Sequence, residues 1–183
     1  MNNFTVRHAP MDGLLIFETK KYGDGRGFFM EMHSDESFRE LGLDLRFVQD
    51  NRSRSGRMTL RGIHFQKTRP QGKLVFVTRG EVFDVAVDLR KSSRTFGKWF
   101  GIRLSGDEGT LFYIPPGFAH GFCVLSETAD FMYKCTDFYR PDDEGGLLWN
   151  DPLVGIDWPL SGDPVIAERD RNYPGLDRCF FYP

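Results

Sequence analysis

Thr59-Leu60-Arg61-Gly62-Ile63-His64-Phe65-Gln66 and, further on, Pro115-Pro116-Gly117-Phe118-Ala119-His120-Gly121 are the stretches on which the fold turns. Each sets one histidine on a short strand-like run. The first histidine has an arginine and an amide nearby; the second follows a Pro/Gly turn. β-Branched and aromatic residues suit a pleated surface, and two such runs with inward imidazoles describe a cup. The expected fold is all-β: a jelly-roll, cupin-like β-sandwich or barrel with short peripheral helices.

Between these runs, Phe83, Val85, Val87 and Leu89 alternate with Val82, Asp84, Ala86 and Asp88. The first set reads as core, and the second, small and acidic, as lining a space. Residues 73 to 78 and 81 to 89, divided by Arg79-Gly80, read as a hairpin. Further strands are expected near 98 to 104, 110 to 114, 121 to 125 and 130 to 139. Upstream, residues 4 to 19 read as two strands around Met11-Asp12-Gly13, followed by a turn-rich Tyr22 to Gly27 and a strand from Phe28 to His33. Ser34 is an N-cap for a helix through Leu41, with Asp35 and Glu36 in its first turn and Gly42 as its stop. The proline-bearing C-terminal part should wrap as loops and short helices.

The 183 residues suffice for one well-buried core, and no repeat, low-complexity tract or linker divides them. A single domain over 1–183 is expected, its core at about 4–175. Eighteen phenylalanines and 15% aromatic content favour a sandwich or barrel interior. A net charge of −2 offers no basic field for nucleic acid, so any anion must be met by a local cationic cluster. Cys123, Cys135 and Cys179 leave one thiol over in any disulfide scheme, which suits a reducing compartment. Met1-Asn2-Asn3 leads into mixed polar sequence without an apolar signal core, and nothing is long enough to cross a bilayer. A soluble, cytoplasmic protein without a membrane partner is expected.

On a strand, Gln49, Asn51, Ser53 and Ser55 share one face, an unusual concentration of uncharged hydrogen-bonding groups. Arg61 and His64 follow on what reads as the adjacent hairpin strand, and Gly62, His64 and Gln66 share a face by the same parity. Metal-binding cupins carry His-x-His and then a glutamate. Here Phe65-Gln66 follows His64, and Lys73 stands where an acidic ligand would be wanted. A cation repels a metal and attracts an anion, so no metal is expected, and the unclaimed imidazole points to acid–base chemistry. Phe131, Tyr133, Cys135, Asp137 and Tyr139 share one side of another strand. Parity leaves open whether they pack or supply a phenolic acid and a flat surface for a ring.

Six blocks in order carry a resemblance. They are Asp24-Gly25-Arg26-Gly27-Phe28-Phe29, Gln49-Asp50-Asn51-Arg52-Ser53, Leu60 to Gln66, Gly117 to Phe122, Tyr133-Lys134-Cys135-Thr136 and Trp149-Asn150-Asp151-Pro152. From about residue 4 to about residue 175 the chain resembles the dTDP-4-dehydrorhamnose 3,5-epimerases, jelly-roll enzymes of dTDP-L-rhamnose synthesis. The resemblance implies a cofactor-independent isomerase acting on dTDP-4-dehydro-6-deoxy-D-glucose, inverting carbons 3 and 5 beside the 4-keto group. It makes His64 the base, Tyr133 the acid on the opposite ring face, and Asp170 the carboxylate that orients His64. Arg26, Glu31, Gln49, Asn51, Arg61, Lys73, His120, Glu144 and Arg169 match nucleotide-sugar contacts, and Tyr139 matches an aromatic that stacks on thymine. Arg169 departs from the lysine many relatives carry. Relatives are homodimers whose N-terminal strands pair, which an edge strand within 4 to 19 could reproduce.

The residue types fit such chemistry. An imidazole can accept a carbon-bound proton, and an adjacent carboxylate stabilises the imidazolium and fixes its tautomer. A phenol donates from the other face, Lys73 or His120 could face the enolate oxygen, and Arg26 and Arg61 suit a diphosphate. Three other readings make different predictions. A single-carbon epimerase of a natural-product deoxysugar pathway would exchange one position. A non-catalytic cupin binding protein would tolerate loss of His64, and a metal-dependent cupin dioxygenase would need a transition metal.

Overall fold

A computed structural model describes residues 2–183. Fourteen strands follow in chain order. They begin with β1 Phe4–His8, β2 Leu15–Thr19, β3 Lys21–Asp24, β4 Gly27–Met30, β5 Gln49–Gly56, β6 Thr59–Gln66 and β7 Lys73–Arg79. They continue with β8 Glu81–Asp88, β9 Trp99–Ser105, β10 Thr110–Ile114, β11 Phe118–Val124, β12 Thr128–Cys135, β13 Glu144–Gly146 and β14 Val165–Ile166. The α-helices are α1 Asp35–Glu40 and α2 Glu168–Arg171. One sheet runs β1-β2-β10-β7-β12-β5 and the other β13-β6-β11-β8-β9, with β14 laid parallel on β6. The two form the expected jelly-roll sandwich.

The inner strands of both sheets are buried on both faces, which explains nearly unbroken apolar runs such as those in β7 and β11. Inward residues Ile16, Val75, Val77, Phe112 and Phe131 meet Val82, Ala86, Leu104 and Phe122 in the central core. The outer face of the first sheet, with Phe17, Leu74 and Phe76, is covered by Phe38 of α1 and the segment carrying Leu43, Leu45 and Phe47. The outer face of the second, with Ile63, Phe65, Val85 and Val87, is covered by Val154, Trp158, Leu176, Cys179 and Tyr182. Each large apolar side chain buried this way contributes about 1.5–3 kcal/mol. Helix α1 begins as read, Ser34 Oγ accepting the Ser37 N–H.

Several local expectations change. Strands β7 and β8 are not a hairpin: at Gly80 the chain leaves one sheet for the other. Strands β5 and β6 likewise part, β5 pairing with β12 and β6 with β11, so they face each other across the sandwich rather than lying side by side. Both sets on β8 are core: Val85 and Val87 lie beneath the C-terminal wrap, while Val82 and Ala86 point into the sandwich. The strand expected over Phe28 to His33 is the second arm of an exposed β3–β4 hairpin and ends at Met30. The strand expected to reach 139 ends at Cys135.

Candidate active site

Parity along the inward faces carries polar groups to one end of the sandwich. On β7 the series Val77, Val75 continues to Lys73; on β12, Phe131 continues to Tyr133; on β11, Phe122 continues to His120. At that end the apolar filling stops, and a cavity of about 680 Å³ opens.

The wall from the second sheet carries His64. Strict alternation would put Arg61 and His64 on opposite faces, yet both line the cavity, because the β11–β6 register shifts between His120↔His64 and Phe122↔Arg61. Gly62 permits the shift: its φ is +133°, and a Cβ there would lie 2.5 Å from Gly121 Cα. Asp170 reaches the site because β14 lies on β6, Ile166 opposite Leu60, and α2 follows at once. Its Oδ1 sits 2.9 Å from His64 Nε2, and its Oδ2 accepts the Gly62 N–H at 3.2 Å. Burial alone would raise the Asp170 carboxyl, but the bonds from His64 and Gly62, with Arg169 nearby, hold it below the usual carboxylate range. It is therefore an anion beside the imidazole.

His120 has its own carboxylate. Nε2–H donates to Asp84, 2.9 and 3.1 Å from its two oxygens, and the Asp84 side chain is fully buried. Burial pushes the His120 imidazolium down, against the attraction of Asp84.

The opposite wall comes from the first sheet. Tyr133 lies between Asn51 and Val75 on the flanking strands, and burial raises its phenol, so it is protonated at neutral pH. Gln49 donates to Asn51 (2.9 Å) and accepts the Tyr139 N–H (3.0 Å), fixing the polar face of β5. Ser53 lines the cavity, and Ser55 accepts from Arg61 at 3.0 Å. Burial lowers the Lys73 ammonium, which Cys135, Asp84 and Glu144 partly restore. A desolvated cation of this kind gains most when an anion arrives.

Around the His64 side of the cavity, Glu144 gathers Tyr139, Tyr173 and Arg169. Its Oε2 accepts from Tyr139 at 2.7 Å, its Oε1 accepts from Tyr173 at 2.8 Å, and Arg169 Nη1 lies 2.7 Å from Oε1. Among the described residues no group of three or more His, Cys, Asp or Glu side chains is arranged to hold a metal ion.

Eleven of the thirteen residues expected from sequence thus line one cavity: His64, Tyr133, Asp170, Gln49, Asn51, Arg61, Lys73, His120, Tyr139, Glu144 and Arg169. Arg26 and Glu31 do not. Arg26 sits on the tip of the β3–β4 hairpin with a 91% exposed side chain paired to Asp24, and Glu31 accepts from Asn3. They lie away from it because β3 and β4 pair only with each other instead of continuing a cavity-lining strand, and Glu31 directly follows β4. Asp84 and Tyr173 were not among the sequence candidates. Parity on β8 already put an acid on the inner face, so Asp84 was within reach; Tyr173 lies in irregular chain, where no periodicity speaks.

A double-sheet cup whose lining pairs imidazoles with carboxylates and sets a buried phenol opposite them is a cupin-like jelly roll equipped for proton transfer. The chain belongs to the dTDP-4-dehydrorhamnose 3,5-epimerase family, whose model matches residues 8–178. It is 52% identical over 178 residues to a dTDP-4-dehydrorhamnose 3,5-epimerase of Methanothermobacter thermautotrophicus, covering 96% of each chain. An enzyme of the same name from Pseudomonas aeruginosa is 54% identical over 160 residues, covering 87% of this chain and 88% of its own. Among solved structures, a dTDP-6-deoxy-D-glucose-3,5-epimerase of Legionella pneumophila in complex with dTDP-4-keto-L-rhamnose superposes with a TM-score of 0.92. It is 49% identical, with 96% of this chain and 94% of that one covered.

Proposed function

We propose that this chain epimerises dTDP-4-dehydro-6-deoxy-D-glucose at carbons 3 and 5, giving dTDP-4-dehydro-L-rhamnose for dTDP-L-rhamnose synthesis. The observation that carries the reading is His64 on one sheet, paired with Asp170 of α2, and Tyr133 on the other sheet, lining one cavity. His64 takes the proton from a carbon beside the ketone, and the electron pair moves onto the carbonyl oxygen. Asp170 stabilises the imidazolium so formed. Tyr133 then donates its phenolic proton to the same carbon from the opposite face. Arg61 favours the phenolate that remains, and exchange with water resets both groups.

Lys73 is the group we assign to the enolate oxygen. A neutral His120 that gives its Nε2–H to Asp84 has no second proton to donate, whereas the Lys73 amino group carries N–H donors in either protonation state. Gln49, Asn51, Arg61, Tyr139, Glu144 and Arg169 are assigned to the nucleotide end, with Tyr139 stacking on the thymine. No cofactor takes part.

We further assign a homodimer. β1 is an edge strand, and the β3–β4 hairpin is tied to its start by Tyr22 Oη–H donating to Asn3 at 2.8 Å. A second copy paired there would receive Arg26 and Glu31 on its own side. Light scattering giving a monomer mass would sink this assignment. The buried, unpaired thiols of Cys123, Cys135 and Cys179 fit a cytoplasmic setting.

The reaction is tested in heavy water with the 4-keto sugar nucleotide. Deuterium should appear at both carbons 3 and 5. Label at one carbon alone selects a single-carbon epimerase, and no label at either rejects epimerisation.

A further inference from the structure

Tyr173 lies in irregular chain after α2, yet both ends of its side chain meet the active site. Its ring stands edge-on to the His64 imidazole, with centroids 5.8 Å apart and planes at 71°. The same ring rests on Gly146, the direct cross-strand partner of His64 in β13–β6. A Cβ at Gly146 would fall 2.3 Å from Tyr173 Cδ2, so only glycine leaves room for the ring. At its other end the hydroxyl donates to Glu144 Oε1 at 2.8 Å.

That bond completes a circuit. Glu144 pairs with Arg169 at 2.7 Å, Arg169 Nε reaches Asp170 Oδ1 at 3.4 Å, and Asp170 holds His64 at 2.9 Å. From His64 the path returns through the ring contact to Tyr173. Glu144 also holds the Tyr139 hydroxyl at 2.7 Å. Glu144 thus holds the nucleotide-facing aromatic directly and is joined to the base only through Tyr173 and through the Arg169–Asp170 pair, and Tyr173 is the member of the circuit that touches both Glu144 and the imidazole.

We propose that Tyr173 is a positioning residue: its ring sets the plane of His64 against Asp170, and its hydroxyl sets Glu144 so that Tyr139 and Arg169 await the nucleotide. The proposal rests on the epimerase reading above. A single hydrogen bond to Asp170 leaves an imidazole able to swing about that contact; packing from the side removes the swing and preserves the angle at which its lone pair meets a carbon-bound proton. The hydroxyl is a dependable donor, because burial and the bond to Glu144 both keep it protonated, while Glu144 itself is held below the usual carboxylate range.

Two substitutions at 173 and one at 146 separate these roles from a merely structural one. Tyr173→Phe keeps the ring and deletes the hydroxyl. It should raise KM for the sugar nucleotide and Kd for dTDP by about 3–10-fold, the span of one hydrogen bond, with kcat within about two-fold of wild type. Tyr173→Ala also removes the ring and should lower kcat by about ten-fold or more in addition. Gly146→Ala displaces the ring with the tyrosine still present, and should reproduce that loss of kcat. The proposal is overturned if Tyr173→Phe leaves both KM and Kd at wild-type values, or if Tyr173→Ala lowers only the melting temperature. Should the alanine variant not fold, the phenylalanine variant decides alone. Calorimetric binding of dTDP is independent of turnover, so a wild type that binds dTDP without exchanging label would count against the epimerase reading and not against this role.

Discussion

His64 and His120 are direct cross-strand partners in β6 and β11, and each is bonded through Nε2 to its own buried carboxylate. The pairs differ in where the carboxylate comes from and in what the ring can reach. Asp170 arrives from α2, more than a hundred residues downstream of His64, whereas Asp84 belongs to the neighbouring strand β8. The His64 side chain is 24% exposed into the cavity; that of His120 is 8% exposed. Burial drives His120 toward the neutral form, so two similar pairs side by side differ: the proposed base faces the cavity, and the other imidazole is a buried wall.

Asp170→Asn tests the first pair. The amide can still accept the Gly62 N–H, but it carries no charge to match the imidazolium formed during proton abstraction. The expected result is a loss of about 10²–10⁴-fold in kcat with the fold retained by circular dichroism. Because the native carboxyl lies below its ordinary value, Asp170 stays ionised until pH falls below that range, so the acid limb of wild-type kcat at pH 5–7 should not be its titration. A variant with full kcat would remove Asp170 from the mechanism.

Tyr133→Phe tests the opposite wall. If His64 abstracts and Tyr133 returns the proton, the variant still labilises the carbon-bound hydrogen but has no donor on the other face. In heavy water, deuterium should enter the starting sugar with its configuration kept, while epimer formation falls about 10²-fold or more. Mass spectrometry and proton NMR of the recovered nucleotide distinguish this from a dead enzyme, which incorporates nothing. Full inversion by the variant would assign the donor elsewhere.

The sequence disclosed the cup and most of its lining because both obey parity. Lys73, Tyr133 and His120 sit at the ends of alternating series whose other members are core, so period-two reading finds them. The resemblance supplied Asp170, Glu144 and Arg169, which no local pattern marks. Strand partnership was not legible: β5 and β6, and β7 and β8, are close in sequence but lie on opposite sheets, since a short Gly-containing turn serves a hairpin and a sandwich crossing alike. Parity also failed at Gly62, where one register shift returns Arg61 and His64 to the same side. Arg26 and Glu31 lie away from their own chain's cavity for a related reason: nothing in their spacing says that β3 and β4 pair only with each other.

Acid stability should depend visibly on Asp88, away from the cavity. Its carboxylate accepts from Arg90 N and Nε (both 2.9 Å), Arg90 Nη2 (2.8 Å), Ser93 Oγ (2.7 Å) and Thr95 Oγ1 (2.7 Å), pinning the β8–β9 connection. Burial alone would raise this carboxyl, but the donors from Arg90, Thr95 and Ser93 outweigh it and bring it down to about 2. An unfolded aspartate titrates near 3.9, so the folded state binds its proton less readily, and the resulting stability, about 2 kcal/mol, is fully present above about pH 5. It disappears as pH falls from about 4 toward 2, where the native carboxylate is finally protonated. Asp88→Asn should therefore lower stability at pH 7 by about 2 kcal/mol or more and flatten the pH dependence between 4 and 2 by a similar amount. Urea unfolding across that pH range measures both. Parallel curves for variant and wild type would mean that Asp88 titrates alike in the folded and unfolded chain, and that its five donors do not hold the charge.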